Sequence, residues 1–174
     1  MFAMEITVAS VALMVLMTLA CASDIRARRV PNALNLTVLG AGMLFQVMSP
    51  RLGDGWRSAV TGLAVGFAIW FPMYLFRLIG AGDVKLFAAA AVWIGPRGAV
   101  AAALVTSVSG ALLGAVWMVR RRGFSSTIDA LIQLIRAPAA LQLPSVERLD
   151  TVPYALAVSV GILTNWFWPL LSHR

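Results

Sequence analysis

Six apolar runs, at residues 6–23, 32–48, 58–79, 83–95, 98–119 and 152–171, leave room for little else in this chain. A spanning helix needs about 20 mostly apolar residues. Inside a bilayer only helices and closed barrels satisfy their own backbone hydrogen bonds. Of the 174 residues, 60% are hydrophobic and 12% charged, a balance that one water-soluble core of this size could not hide. The expected fold class is all-α: a polytopic integral membrane protein, one domain over 1–174, built as a six-helix transmembrane bundle.

The longest connection, 120–150, carries Ile128, Leu131, Ile132, Leu134 and Ile135 on one helical face, bounded by Asp129, Gln133 and Arg136. That pattern predicts a short amphipathic helix on the cytoplasmic membrane surface, ended by Pro138. Lysine and arginine set the orientation. Arg26, Arg28, Arg29, Arg77, Lys85, Arg120, Arg121, Arg122, Arg136 and Arg148 fall in alternate connections on one side, ten residues, against Arg51, Arg57, Arg97 and Arg174, four, on the other. The richer side is expected to be cytoplasmic, which puts both termini outside.

The net charge of +7 does not point to nucleic acid, because the arginines flank apolar runs and lack interleaved aromatics. The small residues Ala20, Cys21 and Ala22 imitate a signal-peptide cleavage site. The flanks contradict it: Glu5 precedes the run and Arg26, Arg28 and Arg29 follow it, the reverse of a secretory signal. The single cysteine, Cys21, allows neither a disulfide nor a cysteine zinc site and reads as a buried, inert thiol. His173 has no ligand partners near it, so no metal and no cofactor is expected. Gly62-x-x-x-Gly66 and Gly110-x-x-x-Gly114 carry the spacing that lets membrane helices approach closely. Trp56, Trp93, Trp166 and Trp168 lie near predicted outer boundaries, as interfacial anchors would.

Of seven acidic residues, Glu5, Asp54, Asp129, Glu147 and Asp150 lie in termini or connections where solvation accounts for them. Asp24 and Asp83 remain, one ending the first run and one opening the fourth, both on the predicted cytoplasmic side. Ionisable groups at membrane segments are costly and are functional candidates. The fourth run is short, thirteen residues; as a helix it rises about 20 Å against a hydrocarbon core of about 30 Å. Either Asp83 starts below the headgroups or this part of the bundle is thinned; in the first case Gly80-Ala81-Gly82 becomes irregular backbone buried in protein or beside a wet cavity, with glycines allowing close approach and unusual dihedrals. Two adjacent carboxylates suit peptide hydrolysis, one holding a proton while the other activates water. Helix dipoles favour Asp83 as the base, since it sits at a helix N-terminus and Asp24 near a C-terminus. Lys85, two residues on, need not face Asp83. The residues alone leave a second reading open, in which Asp24 is a boundary residue beside arginines and Asp83 a helix-start residue neutralised by Lys85.

Ser23-Asp24-Ile25-Arg26-Ala27-Arg28-Arg29-Val30-Pro31-Asn32 resembles the first aspartate motif of the prepilin peptidase family. Gly80-Ala81-Gly82-Asp83-Val84-Lys85-Leu86 resembles its second, the GxGD signature followed by Val-Lys, and Val152-Pro153-Tyr154-Ala155 is similar to a softer family feature. The resemblance implies an intramembrane aspartyl peptidase with Asp24 and Asp83 catalytic and Gly80, Gly82 and Lys85 as motif support. It implies the bacterial inner membrane as location and a type IV prepilin or pseudopilin precursor as substrate, cut at the cytoplasmic face. Small size resembles the Flp/Tad-pilus branch. With five residues before the first run and one cysteine, N-methylation of the new terminus is not expected. The partners are thus the precursor and membrane lipid, with Arg26, Arg28 and Arg29 on anionic headgroups and Asn32 as a helix cap. The competing reading is a non-catalytic component, such as a small proton-coupled carrier using the same aspartates, against which no inverted repeat is evident.

Overall fold

A computed structural model describes residues 2–48, 55–76, 79–122 and 154–168. They form five helices and nothing else regular: α1 (Phe2–Ala27), α2 (Asn32–Met48), α3 (Gly55–Leu75), α4 (Ala81–Arg122) and α5 (Tyr154–Phe167). Three stretches, Thr7–Ala27, Gly55–Leu75 and Ala81–Trp117, are long and apolar enough to cross a membrane, while Asn32–Met48 and Tyr154–Phe167 are shorter apolar helices. The second predicted run coincides with α2. The first extends further, so Asp24 lies inside the last turn of α1 rather than after it. The amphipathic helix expected over 128–135 lies outside the described residues.

The fourth and fifth runs, expected as separate helices, join as α4, broken at Gly95 with φ 69° and ψ −178°. Glycine tolerates that left-handed φ where a side chain would be strained, and Pro96 cannot donate a helical hydrogen bond across the break. The chain reverses there. A Cβ on Gly98 would meet Asn165 Oδ1, one on Gly161 would meet Ala102 and Thr106, and one on Gly110 would meet Tyr154. The second arm of α4, 96–122, therefore runs antiparallel to α5. The first arm, 81–94, runs parallel to α5 side by side, since Trp93 packs on Trp166 with ring centroids 6.0 Å apart.

The first arm is the core. Val84 and every residue from Leu86 to Trp93 are buried, as a helix apolar on all faces should be. Ala88 and Ala91, one turn apart, present a smooth surface to α3. There a Cβ on Gly62 would lie 2.6 Å from Ala91 O, and one on Gly66 would lie 2.7 Å from Ala91 Cβ. This glycine pair thus serves close helix packing as its spacing predicts. The other pair does not, because Gly110 receives the Tyr154 ring and Gly114 faces open space.

At the Trp93 end, Phe45, Trp93 and Trp166 stack and cross. Trp93 Nε1 donates to Val38 O at 2.9 Å, and Trp166 Nε1 donates to Ser10 Oγ at 2.9 Å. Gln46 Nε2 donates to Val92 O at 2.8 Å. Trp93 and Trp166 are therefore packing residues rather than the interfacial anchors expected of them, whereas Trp56 and Trp168 are exposed. Val8, Leu19, Leu104 and Leu112 point outward and give the bundle an apolar exterior.

Candidate active site

At the opposite end of the bundle, the last turn of α1, the first turn of α4 and the first turn of α5 converge. α1 stops because Arg28 adopts φ 51°, with its amide donating to Asp24 O at 2.8 Å. Ser23 Oγ donates to Arg29 O at 2.9 Å, which ties down the turn. Pro31 then disfavours helix at Val30 and lets α2 begin. Its carbonyl accepts from Asn35 N at 3.2 Å. Asn32 is not the cap expected of it. It is the first residue of α2, and its Oδ1 accepts from Lys85 Nζ at 3.4 Å.

Asp24 is buried, 6% exposed. A carboxylate so placed requires a donor, and Ala155 N supplies one to Oδ2 at 3.0 Å. Ala155 is the second residue of α5, so its amide is among those a helix start leaves without an internal partner. A side chain from α1 thereby completes the start of α5.

Asp83 is half-buried, the third residue of α4. Its amide donates to Gly80 O at 3.1 Å, and its carboxylate takes a hydrogen bond back from the Gly80 backbone. The second bond is the half of a capping box in which an acidic side chain reaches back to the helix start; Gly80 has no side chain to supply the other half. A Cβ on Gly80 would sit 3.2 Å from Asp83 Oδ2, so the bare α-carbon leaves the carboxylate room to fold back. Gly82 is less constrained, with a Cβ there 3.9 Å from the Val30 backbone. Neither glycine has positive φ. The unusual dihedrals expected beside Asp83 are absent because α4 simply starts there.

Gly82 against Val30, and Lys85 on Asn32, seat the start of α4 on the α1–α2 connection. This brings Asp83 into range of the Asp24 charge. The residues that sequence singles out thus converge: Asp24 and Asp83 lie within Coulombic range of each other, Gly80 and Gly82 border Asp83 and the α1–α2 connection, and Lys85 reaches Asn32 of α2. Both carboxylates also sit at helix starts, Asp83 on its own helix and Asp24 on α5. Helix dipoles therefore do not mark one of them as the base.

Three further residues line the site. Tyr154 lies within range of the Asp83 charge and meets Trp70 edge-on, ring centroids 5.7 Å apart. Trp70 in turn packs on Phe87, 5.4 Å away. One turn deeper than Asp24, Cys21 Sγ lies 3.1 Å from Ser159 Oγ, which makes the half-buried thiol a link between α1 and α5. Sequence marked Tyr154 and Ala155 only as a soft motif, and the donor proved to be a backbone amide, which no side-chain pattern announces. Trp70 carried no signal, being one apolar residue in an apolar run. Among the described residues no three His, Cys, Asp or Glu side chains cluster as metal ligands.

Comparison with known proteins supports the same region. The model of the type IV leader peptidase family matches residues 11–115, which includes both aspartates. A prepilin leader peptidase/N-methyltransferase of Xanthomonas campestris pv. campestris is 30% identical over 102 residues, 55% of this chain and 35% of that protein. Proteins of the same name from Burkholderia pseudomallei and Stutzerimonas stutzeri are 33% and 32% identical over 110 and 111 residues, 58% and 60% of this chain and 35% and 38% of theirs. The matches thus span little more than a third of the length of these curated relatives. No solved structure matches the chain.

Proposed function

The chain belongs to the type IV leader peptidase family, and from that membership we propose that it is a membrane-embedded aspartyl endopeptidase. It removes the leader from type IV prepilin or pseudopilin precursors, with Asp24 and Asp83 as the catalytic pair. The observation that carries this reading is the meeting of two carboxylates from separate helices, one buried and one half-buried, at one end of an apolar bundle.

Two such carboxyl groups hold one proton between them, because like charges at short range cannot both ionise comfortably. The ionised member takes a proton from water as the water oxygen bonds to the scissile carbonyl carbon. The protonated member donates to the carbonyl oxygen and neutralises it as the tetrahedral diol forms. Collapse of the diol breaks the C–N bond: the carboxyl proton taken from water passes to the leaving nitrogen, while a diol hydroxyl gives its proton to the other carboxylate, which leaves a carboxylic acid product and restores the pair with its single proton. Backbone amides of Gly80 and Ala155 hold the carboxylates in place and leave their other oxygens for water and substrate.

Counting the two arms of α4 separately gives six spans, with the surface helix within 120–150 on the cytoplasmic side. Arginine and lysine asymmetry supports a multi-pass inner-membrane protein with both termini outside and the aspartates at the cytoplasmic face.

The test is co-expression with candidate precursors in a host lacking leader peptidase, with mass measurement of the mature N-terminus. Asp83→Asn is expected to lower turnover by about 10²–10⁴-fold. Adding Asp24→Asn should lower it little further, since members of one catalytic unit are not additive. Asp129→Asn, in a connection read as solvated, should process normally. Normal cleavage by both motif variants would move the carrier reading ahead.

A further inference from the structure

Gly110 belongs to a small-residue pair, yet what approaches it is no helix backbone. A Cβ at Gly110 would lie 2.7 Å from the Tyr154 hydroxyl oxygen, 2.8 Å from Cε2 and 2.9 Å from Cζ. Elsewhere along this interface the gaps left by glycines take smaller groups, the Thr106 hydroxyl and Ala102 carbonyl at Gly161, and Asn165 Oδ1 and the Ile94 side chain at Gly98. Here one aromatic ring occupies the space of a missing side chain. Its edge meets Trp70 of α3, centroids 5.7 Å apart at 72°, and Trp70 is itself 2% exposed and backed by Phe87.

Tyr154 opens α5, and the peptide unit joining it to Ala155 carries the N–H that donates to Asp24 Oδ2. That unit is planar, so the placement of Tyr154 sets the direction of the Ala155 N–H. We propose that Tyr154 is a positioning residue for the carboxylate pair: its ring, seated in the gap left by Gly110 and braced by Trp70, fixes the amide that orients Asp24. Trp70 lies on α3 and Gly110 on the second arm of α4, beyond the break at Gly95 from the turn that carries Asp83, so the seat couples α3 and that arm to the site. The inference rests on the reading of Asp24 and Asp83 as the catalytic pair. It assigns the effect to the ring rather than to the hydroxyl, and to Gly110 rather than to Gly114, which faces open space.

The experiment measures kcat and KM for a type IV precursor with the full chain in lipid vesicles. Gly110→Ala should lower kcat about tenfold with KM within about twofold, since displacing a catalytic group by about 1 Å can cost up to about 10²-fold. Tyr154→Leu, which removes the braced ring, should lose a similar factor. Tyr154→Phe, which keeps it, should stay within about threefold of wild type, and Gly114→Ala should be unchanged. The combined Gly110→Ala/Tyr154→Leu variant should be no worse than Tyr154→Leu alone, because the atoms a new Cβ would strike are gone; independent effects would multiply to about a hundredfold.

Wild-type kcat in Gly110→Ala, multiplying losses in the double variant, or a loss carried by KM would each overturn the proposal. So would a loss in Tyr154→Phe equal to that in Tyr154→Leu, which would give the role to the hydroxyl. Asp24→Asn and Asp83→Asn run alongside. If they retain turnover, the catalytic pair itself is wrong; if they lose it while Gly110→Ala does not, only the seat is wrong.

Discussion

Replacing Asp24 by asparagine, and separately by alanine, divides the two jobs its carboxylate can do. As a cap, Asp24 accepts from Ala155 N at 3.0 Å. Asparagine keeps an oxygen there and caps about as well as aspartate, so its stability cost is confined to the charge–dipole contribution, about 0.3–1 kcal/mol. Alanine removes the acceptor and leaves a buried amide unpartnered, which costs about 1–3 kcal/mol. As an acid or base, the carboxyl group contributes about 10²–10⁴-fold in rate, and asparagine loses all of it. That loss equals about 2.7–5.5 kcal/mol of barrier. A fall of that size cannot come from unfolding, because losing about 1 kcal/mol from a fold stable by about 5–15 kcal/mol leaves nearly every molecule folded. The assay pairs precursor processing in vesicles with thermal unfolding of the same preparations. Asparagine should be nearly as stable as wild type and nearly inactive, with alanine equally inactive and clearly less stable. Asparagine turnover within about threefold of wild type, or activity that merely tracks melting temperature across the variants, would refute the catalytic role and leave Asp24 as the cap of α5.

Gly62→Ala should destabilise the bundle by about 1–3 kcal/mol, because its Cβ would press to 2.6 Å from the Ala91 carbonyl, a backbone atom with little freedom to move. Gly40→Ala, with nothing within 4 Å, should be neutral or mildly stabilising in the same melts. Processing should survive a chelator; complete loss, restored by zinc and not by buffer exchange, would point to metal-assisted hydrolysis instead. A reporter fused after Arg174 should read as external, and a cytoplasmic signal from intact protein would invert the arrangement that puts both aspartates at the inner face.

Much of the site was legible because its chemistry is expensive. A carboxylate beside an apolar run stands out against 12% charged residues, and two such groups on the same predicted side suggest a pair. The supporting contacts were not legible. Lys85 carried no hint that it reaches Asn32, 53 residues away. Trp93 read as an anchor because it closes an apolar run, and only the neighbouring α2 carbonyl at Val38 explains why its N–H can be buried. Helix ends in the sequence lean toward Asp83 as the base, and that lean disappears once α5 presents its own N-terminus to Asp24.

Periodicity, length and charge asymmetry determined that this chain is helical, that it belongs in a membrane, and which two acids stand out as candidates, because burial and desolvation costs are properties of residues and short segments. The reversal at Gly95, the order in which arms lie beside α5, and the meeting of Asp24, Asp83, Tyr154 and Gly110 were decided only in three dimensions. Small residues permit close approach without saying to what, and a backbone amide is the same donor at every position until folding aims it.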